Sequence, residues 1–144
     1  MSNFKESLKD GKKSEEAILS IIKPKYPTAY IIDGYYKYYD IFIPEKNLGI
    51  EVKKDVKSQE TGNLVIEVEF NGYPSALSTT RADYWVFDDG ESYIWIEPSK
   101  LRSIVHNFGQ IREFVGKVDT RAKKAHLIPK HIIKNHACLI TNIP

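Results

Sequence analysis

Three charged residues in one short stretch carry the most specific chemistry in the chain. Asp40, Glu51 and Lys53 lie within Tyr38-Tyr39-Asp40-Ile41-Phe42-Ile43-Pro44-Glu45-Lys46-Asn47-Leu48-Gly49-Ile50-Glu51-Val52-Lys53, which reads as two strands joined by a turn. Side chains alternate along a strand, so Glu51 and Lys53 share one face while Ile50 and Val52 point to the other. Two carboxylates and an ammonium set into apolar strands are costly to desolvate unless they have partners. A divalent cation would hold the two acids together. Magnesium is a hard cation that takes oxygen ligands, keeps several waters and needs only one or two carboxylates when a phosphate supplies further oxygens; manganese would substitute. Such an ion stabilises charge on a scissile phosphate and acidifies a bound water. Lys53 would orient that water or offset the charge that develops on the phosphate.

The elements that must position these groups begin with a helix from about Lys13 to Lys23, after a charged lead-in from Met1 to Lys12. Ser14 is its expected N-cap, with glutamates in the first turn where the helix dipole favours them. Ile18, Leu19, Ile21 and Ile22 form its core-facing stripe, and Pro24 and Pro27 end it. Glu15 precedes Ile18, Leu19 and Ile22 by helical spacing and so points inward at one end of the stripe, whereas Glu16 lies nearer solvent. Glu15 would add a third carboxylate if this helix packs against the acid-bearing strands.

Thr28 to Ile32, Tyr36 to Ile43 and Leu48 to Lys54 read as the first three strands, with Asp33-Gly34 as a turn. Leu64 to Phe70 reads as a fourth, with Val65, Glu67 and Glu69 on one face. Ser75 to Arg81 is an irregular or briefly helical stretch. Ala82 to Phe87 and Ser92 to Glu97 form a hairpin around Asp88-Asp89-Gly90. A second long helix is expected from Pro98 to about Val115, with Gly109 a weak point in it. From Gly116 to Pro144 the chain becomes basic, with Lys117, Arg121, Lys123, Lys124, Lys130 and Lys134 against the single acid Asp119. The pattern predicts one domain with a core at about 11–115 and a basic tail. Its class is α+β, a mixed but mostly antiparallel sheet of four or more strands flanked by helices in three layers.

An isolated Glu-x-Lys is most often a solvated charge pair on an edge strand. Here it lies in an apolar strand, an acid precedes it on the adjoining strand, and a helical glutamate lies upstream. That combination resembles the PD-(D/E)XK nuclease superfamily, whose spacing in Holliday-junction resolvases and small phage or homing endonucleases is similar. The likeness covers roughly Gly11 to Phe87. It maps the helical glutamate to Glu15, the metal-binding aspartate to Asp40 and the Glu-x-Lys to Glu51-Val52-Lys53; Tyr39 stands where the motif has proline. It implies a restriction-endonuclease-like core and a magnesium-dependent hydrolase that cuts DNA to a 5′-phosphate and a 3′-hydroxyl. Asp40, Glu51 and the Val52 carbonyl would be ligands, Lys53 the water-positioning group and Glu15 a support.

Other groups have weaker claims. Tyr36 and Tyr38, beside Asp40, suit base stacking or phosphate contact as well as sheet packing. Arg81, Lys123 and Lys124 suit phosphates. Glu67 reads equally as an extra metal ligand or a solvent-facing strand acid. Asp83 reads as a structural cap and Trp85 as core. His126, His131 and His136 recur at a spacing that does not align on one helical face, which argues against a zinc site.

Composition fits these readings. The 144 residues include 42% hydrophobic and 28% charged side chains and a net charge of +2, which permits a nucleic-acid partner without demanding one. The single cysteine, Cys138, excludes an internal disulfide and a multi-cysteine zinc site and suits a reducing, intracellular setting, the cytoplasm of a cell or of a viral host. Met1 to Lys13 carries no apolar signal core, and no apolar run is long enough for a bilayer. A chain of this size would dimerise to cut two strands, through the second helix and the basic tail. A non-catalytic DNA-binding or assembly module on the same fold remains open, as do nicking of DNA and action on RNA. No helix-turn-helix or zinc finger supplies a recognition code.

Overall fold

The protein is described by a computed structural model, which covers residues 4–108, 110–115 and 122–143, with side chains for 11–108 and 122–143. In chain order the elements are α1 (Phe4–Ile22), β1 (Tyr30–Ile31), β2 (Ile41–Ile43), β3 (Leu48–Lys54), α2 (Ser58–Thr61), β4 (Asn63–Phe70), β5 (Tyr73–Pro74), β6 (Tyr84–Asp88), β7 (Ser92–Ile96), α3 (Pro98–Phe108), β8 (Gln110–Val115), β9 (Ala122–Pro129), α4 (Lys130–His136) and β10 (Leu139–Asn142). They build an α+β fold with two sheets. One has six strands in the order β1-β2-β3-β6-β7-β10, the other four in the order β5-β4-β9-β8. The six-stranded sheet is mixed, because β3 and β6 run parallel while its other pairs are antiparallel.

Alternation along the central strands sorts the core onto two faces. Ile50, Val86 and Tyr93 face Ile18 and Ile22 of α1. Trp85, Phe87, Ile94 and Ile96 face the other way, against Leu64 and Ile66 of β4, Ile128 of β9, Leu101 and Ile104 of α3, and Ile133 of α4. The two covering layers therefore differ. One is α1; the other combines the second sheet with α3 and α4. Each buried Ile, Leu or Phe contributes roughly 1.5–3 kcal/mol relative to exposure, so both interfaces are substantial.

Several sequence expectations need correction. The lead-in is helical from Phe4, and Ser14 is not an N-cap. It is buried inside α1, where its hydroxyl donates to Asp88 Oδ2 at 2.7 Å. The second strand is short. Residues 36–39 leave the ladder, and the Tyr38 carbonyl accepts the Arg81 amide and the Thr80 hydroxyl, which ties this segment to the 80–81 loop. The second long helix ends at Phe108, next to Gly109, which lies outside the described residues. Ile111 and Val115 sit in β8. A spacing of four puts two residues on one face of a helix and equally on one face of a strand, so those positions could not discriminate.

The basic segment is part of the fold. Its first residues, 116–121, and with them Lys117, Asp119 and Arg121, lie outside the described residues. From Ala122 onward it supplies β9, the strand between β4 and β8, then α4, then β10 beside β7. Lys130 forms an ion pair at 3.1 Å with Asp89, whose side chain is fully buried. Among the described residues no helix is long and apolar enough to cross a membrane.

Candidate metal centre

β3 is the element around which the candidate site is built. Ile43-Pro44-Glu45-Lys46-Asn47-Leu48 forms a tight hairpin, with Pro44 opening a single 3-10 turn and Asn47 in the left-handed region at φ 49°. Glu45 accepts the amide and the hydroxyl of Thr28, fastening the turn to the start of β1. From there β2 pairs with β3 only as far as Ile41 opposite Ile50, and the Asp40 amide donates to the Ile50 carbonyl at 2.9 Å. Beyond Ile50 the β2 side of β3 has lost its backbone partner, while the β6 side stays paired through Lys54. The Asp40 carboxylate fills the gap, with Oδ2 accepting the Val52 amide at 2.8 Å.

This opening is where the acids meet. Glu51 stands opposite Trp85 and Lys53 opposite Phe87, so both use the face turned toward the second sheet. Glu51 is only 7% exposed. The Asp40 carboxyl lies close enough to interact with it. Burial pushes the Glu51 carboxyl up to about 8; Lys53 opposes the shift, while Asp40 and then Glu15 add to it. Lys53 Nζ lies 5.4 Å from the centre of the Trp85 ring, a cation–π contact that holds the ammonium on the Glu51 face.

Glu15 comes from α1, on the other side of the sheet, and is half-buried, whereas Glu16 is exposed. Burial raises its carboxyl to about 7, helped by the Asp40 charge and opposed by Lys12 one helical turn earlier. Three carboxyls from α1, the residue before β2, and β3 thus sense one another electrostatically.

Among the described residues, no three His, Cys, Asp or Glu side chains form a ready-made ligand set. The donor chemistry at Asp40 and Glu51 nevertheless fits a hard divalent cation. It comprises two neighbouring carboxyls, a backbone carbonyl at Val52 and a third acid, Glu15, coupled to them electrostatically. A cation there would offset the charge of both carboxylates.

The remaining candidate residues are distributed around this centre. Tyr38 is half-buried with the Arg81 guanidinium 4.2 Å and the Lys37 ammonium 5.2 Å from its ring centre. Tyr36 is exposed and meets both Tyr38 and Tyr39 edge-on. Lys123 and Lys124 lie on the second sheet, ion-paired with Glu67 at 3.3 Å and Glu69 at 3.2 Å. Glu67 also accepts the Ser75 hydroxyl at 2.7 Å, so its observed partners are Ser75 and Lys123 and not the acids of β3. Asp83 is structural, as its sequence context suggests; it exchanges hydrogen bonds with Gly49 through its carboxylate and its amide.

Two supports escaped the sequence reading. Thr80 is buried and its hydroxyl is saturated, donating to the Tyr38 carbonyl and accepting the Ala82 amide and the Trp85 indole N–H. Gly49 is required by contact, because a Cβ there would lie 2.5 Å from the Tyr39 ring. The glycine inside a strand, next to Ile50, was the available signal. No protein-family model, curated protein or solved structure matches the chain.

Proposed function

We propose that the protein is a metal-dependent DNA endonuclease with a PD-(D/E)XK-type site on a restriction-endonuclease-like core. The observation that carries this reading is the placement of the Asp40 carboxylate on the Val52 amide at the bared edge of β3, beside buried Glu51 and with Lys53 on the Glu51 face. Asp40, Glu51 and the Val52 carbonyl would hold Mg2+ or Mn2+, which when bound supplies an acidified water and neutralises charge at the scissile phosphate. The chain's own groups do the rest. Lys53, steadied by Trp85, orients the attacking water and stands against the negative charge that grows on the phosphate oxygens. The burial of Glu51 limits bulk water at the centre and strengthens each charge interaction there. Glu15, when ionised, adds negative potential that attracts the cation.

The partner is DNA, and the working unit is a pair of chains. Support for pairing comes from β10, the outer strand of the six-stranded sheet, where Leu139 is 51% and Ile140 43% exposed. An apolar edge strand is a template for antiparallel pairing about a two-fold axis.

One observation favours a second reading, a non-catalytic DNA-binding module. Burial raises the Glu51 carboxyl to about 8, so near neutral pH it is protonated and needs no metal to offset its charge. Cleavage of supercoiled plasmid and of a four-way junction, in magnesium or in EDTA, by wild type and Lys53→Ala separates the two. The nuclease reading expects magnesium-dependent cutting that Lys53→Ala abolishes; intact, salt-sensitive duplex binding with no cutting supports the module.

A further inference from the structure

The strand register places a row of residues next to the acid centre. Tyr30 stands opposite Phe42, and Phe42 opposite Gly49, so all three use one sheet face. Gly49 precedes Glu51 by two residues, which puts the row on the Glu51 face, about 7 Å along the strand. The Tyr39 ring lies over Gly49 and stacks on Phe42, with centres 5.8 Å apart and planes inclined by 21°. Tyr30 meets Phe42 edge-on at 6.1 Å, and Tyr36 meets Tyr39 edge-on at 5.1 Å.

These four rings, with Ile31, Ile32 and exposed Asp33 at the rim, line a cleft of about 320 Å³. Tyr30 is 49% and Tyr36 41% exposed, so rings that could have closed the core are left open to solvent. The cleft is joined to the acid centre through the backbone: the Ile32 amide, beside Asp33, donates to the Asp40 carbonyl at 2.9 Å.

We propose that this cleft binds one unpaired nucleobase of the strand whose phosphate lies at Asp40 and Glu51. The chemistry of the cleft selects that ligand. Its volume is at the small end for an organic-ligand pocket. Its walls are aromatic faces and edges that suit a planar ring, and its rim carboxylate accepts from an exocyclic amine. A nucleic-acid strand is favoured over a free nucleoside because Lys37 and Arg81 flank Tyr38, the next aromatic along, and supply charge for adjoining phosphates. A base inside a duplex has its faces and its pairing edge occupied, so the cleft reads unpaired positions: single strands, flaps, bulges or junction arms. The proposal rests on the phosphodiesterase reading for its location and deepens it by naming the substrate class.

The test is anisotropy of fluorescein-labelled hairpin DNA with the full chain in EDTA, which stops any metal-dependent cutting. One probe carries a single unpaired adenosine; the other has an abasic site at that position. Wild type should bind the adenosine probe about fivefold or more tighter, the range of a single base–aromatic stack. Tyr36→Ala should reduce the ratio to about one, while Tyr36→Phe, which keeps the ring, should retain it. Circular dichroism melts establish that each variant is folded, and Tyr30→Ala is the second variant if Tyr36→Ala is not. A wild-type ratio near one, a ratio that persists in both alanine variants, or no binding of either probe overturns the cleft. Magnesium-dependent plasmid cutting together with a ratio near one overturns the cleft alone. A fivefold ratio in a chain that cuts no substrate overturns the nuclease reading and leaves the cleft as the ligand site of a DNA-binding module.

Discussion

The Asp40 carboxylate accepts the Val52 amide at 2.8 Å, one residue from both Glu51 and Lys53. One side chain therefore does two jobs. It closes the edge of β3 where β2 departs, and it brings a second carboxyl against Glu51. The two jobs separate on substitution. Asp40→Asn keeps an oxygen for the Val52 amide and should change stability by no more than about 1 kcal/mol, whereas Asp40→Ala strands that amide at a cost of about 1–3 kcal/mol. On the nuclease reading both should lower magnesium-dependent cleavage by about 100-fold or more, since each removes a charge that would hold the metal. Urea denaturation and plasmid-nicking rates on the two variants check the separation.

The pH dependence follows from the same acids. Burial raises Glu51 to about 8 and Glu15 to about 7, from an ordinary value of 4.5. Across that window the folded chain binds more protons than the unfolded chain, so their contribution to stability is full below pH 4.5 and is lost as pH rises through 7 and 8. Glu51→Gln, a neutral isostere, should leave stability unchanged near about pH 4.5 and raise it near about pH 9. Bound metal must displace protons, so the gain in Tm from millimolar magnesium should be larger near about pH 8.5 than near about pH 5.5. Thermal melts across pH, with and without magnesium, measure both effects; a pH-independent Glu51→Gln difference would contradict them.

Gly49 and Tyr39 form a packing pair beside the acid centre. A Cβ at residue 49 would approach Tyr39 Cδ1 to 2.5 Å, too close without moving the ring off its Phe42 stack. Gly49→Ala should cost about 1–3 kcal/mol, as overpacking does. Adding Tyr39→Ala should recover part of that loss, because the two residues are in contact and their effects couple. A double-mutant cycle in urea reads the coupling.

The C-terminal segment should be indispensable to stability. Asp89 is fully buried, and although burial alone would raise its carboxyl, the amides of Glu91 and Ser92 and the Lys130 ammonium hold it below its ordinary range. Lys130→Met leaves that carboxylate without its cation and should cost about 3 kcal/mol. Because the carboxyl is lowered, its stabilisation is present above its ordinary range and lost as pH falls through the lowered value, so the penalty should shrink in acid. Denaturant midpoints at neutral and acid pH test the sign.

The acid centre was legible because its signals are local. Period-two alternation put Glu51 and Lys53 on one face, the Pro44–Asn47 turn fixed the hairpin, and helical spacing turned Glu15 inward. What sequence could not convey is non-local. Tyr36 to Tyr39 have high strand propensity, yet that segment leaves the ladder and is tied by hydrogen bonds to Thr80 and Arg81. Ser14 looks like a cap until Asp88, distant in sequence, becomes its partner. The second sheet was hidden because β8 shares an i, i+4 pattern with a helix and β9 is rich in lysine. The charges of Lys123 and Lys124 are met by Glu67 and Glu69, which only the pairing of β4 with β9 reveals.

The most direct test of the metal centre is calorimetric titration of the full chain with Mn2+ at about pH 8, where Glu51 releases its proton. The Asp40–Glu51 site predicts saturable binding that Glu51→Gln and Asp40→Asn each abolish in folded protein. No saturable binding to wild type, or binding that survives both substitutions, would contradict a metal held between these two residues and the nuclease chemistry built on it.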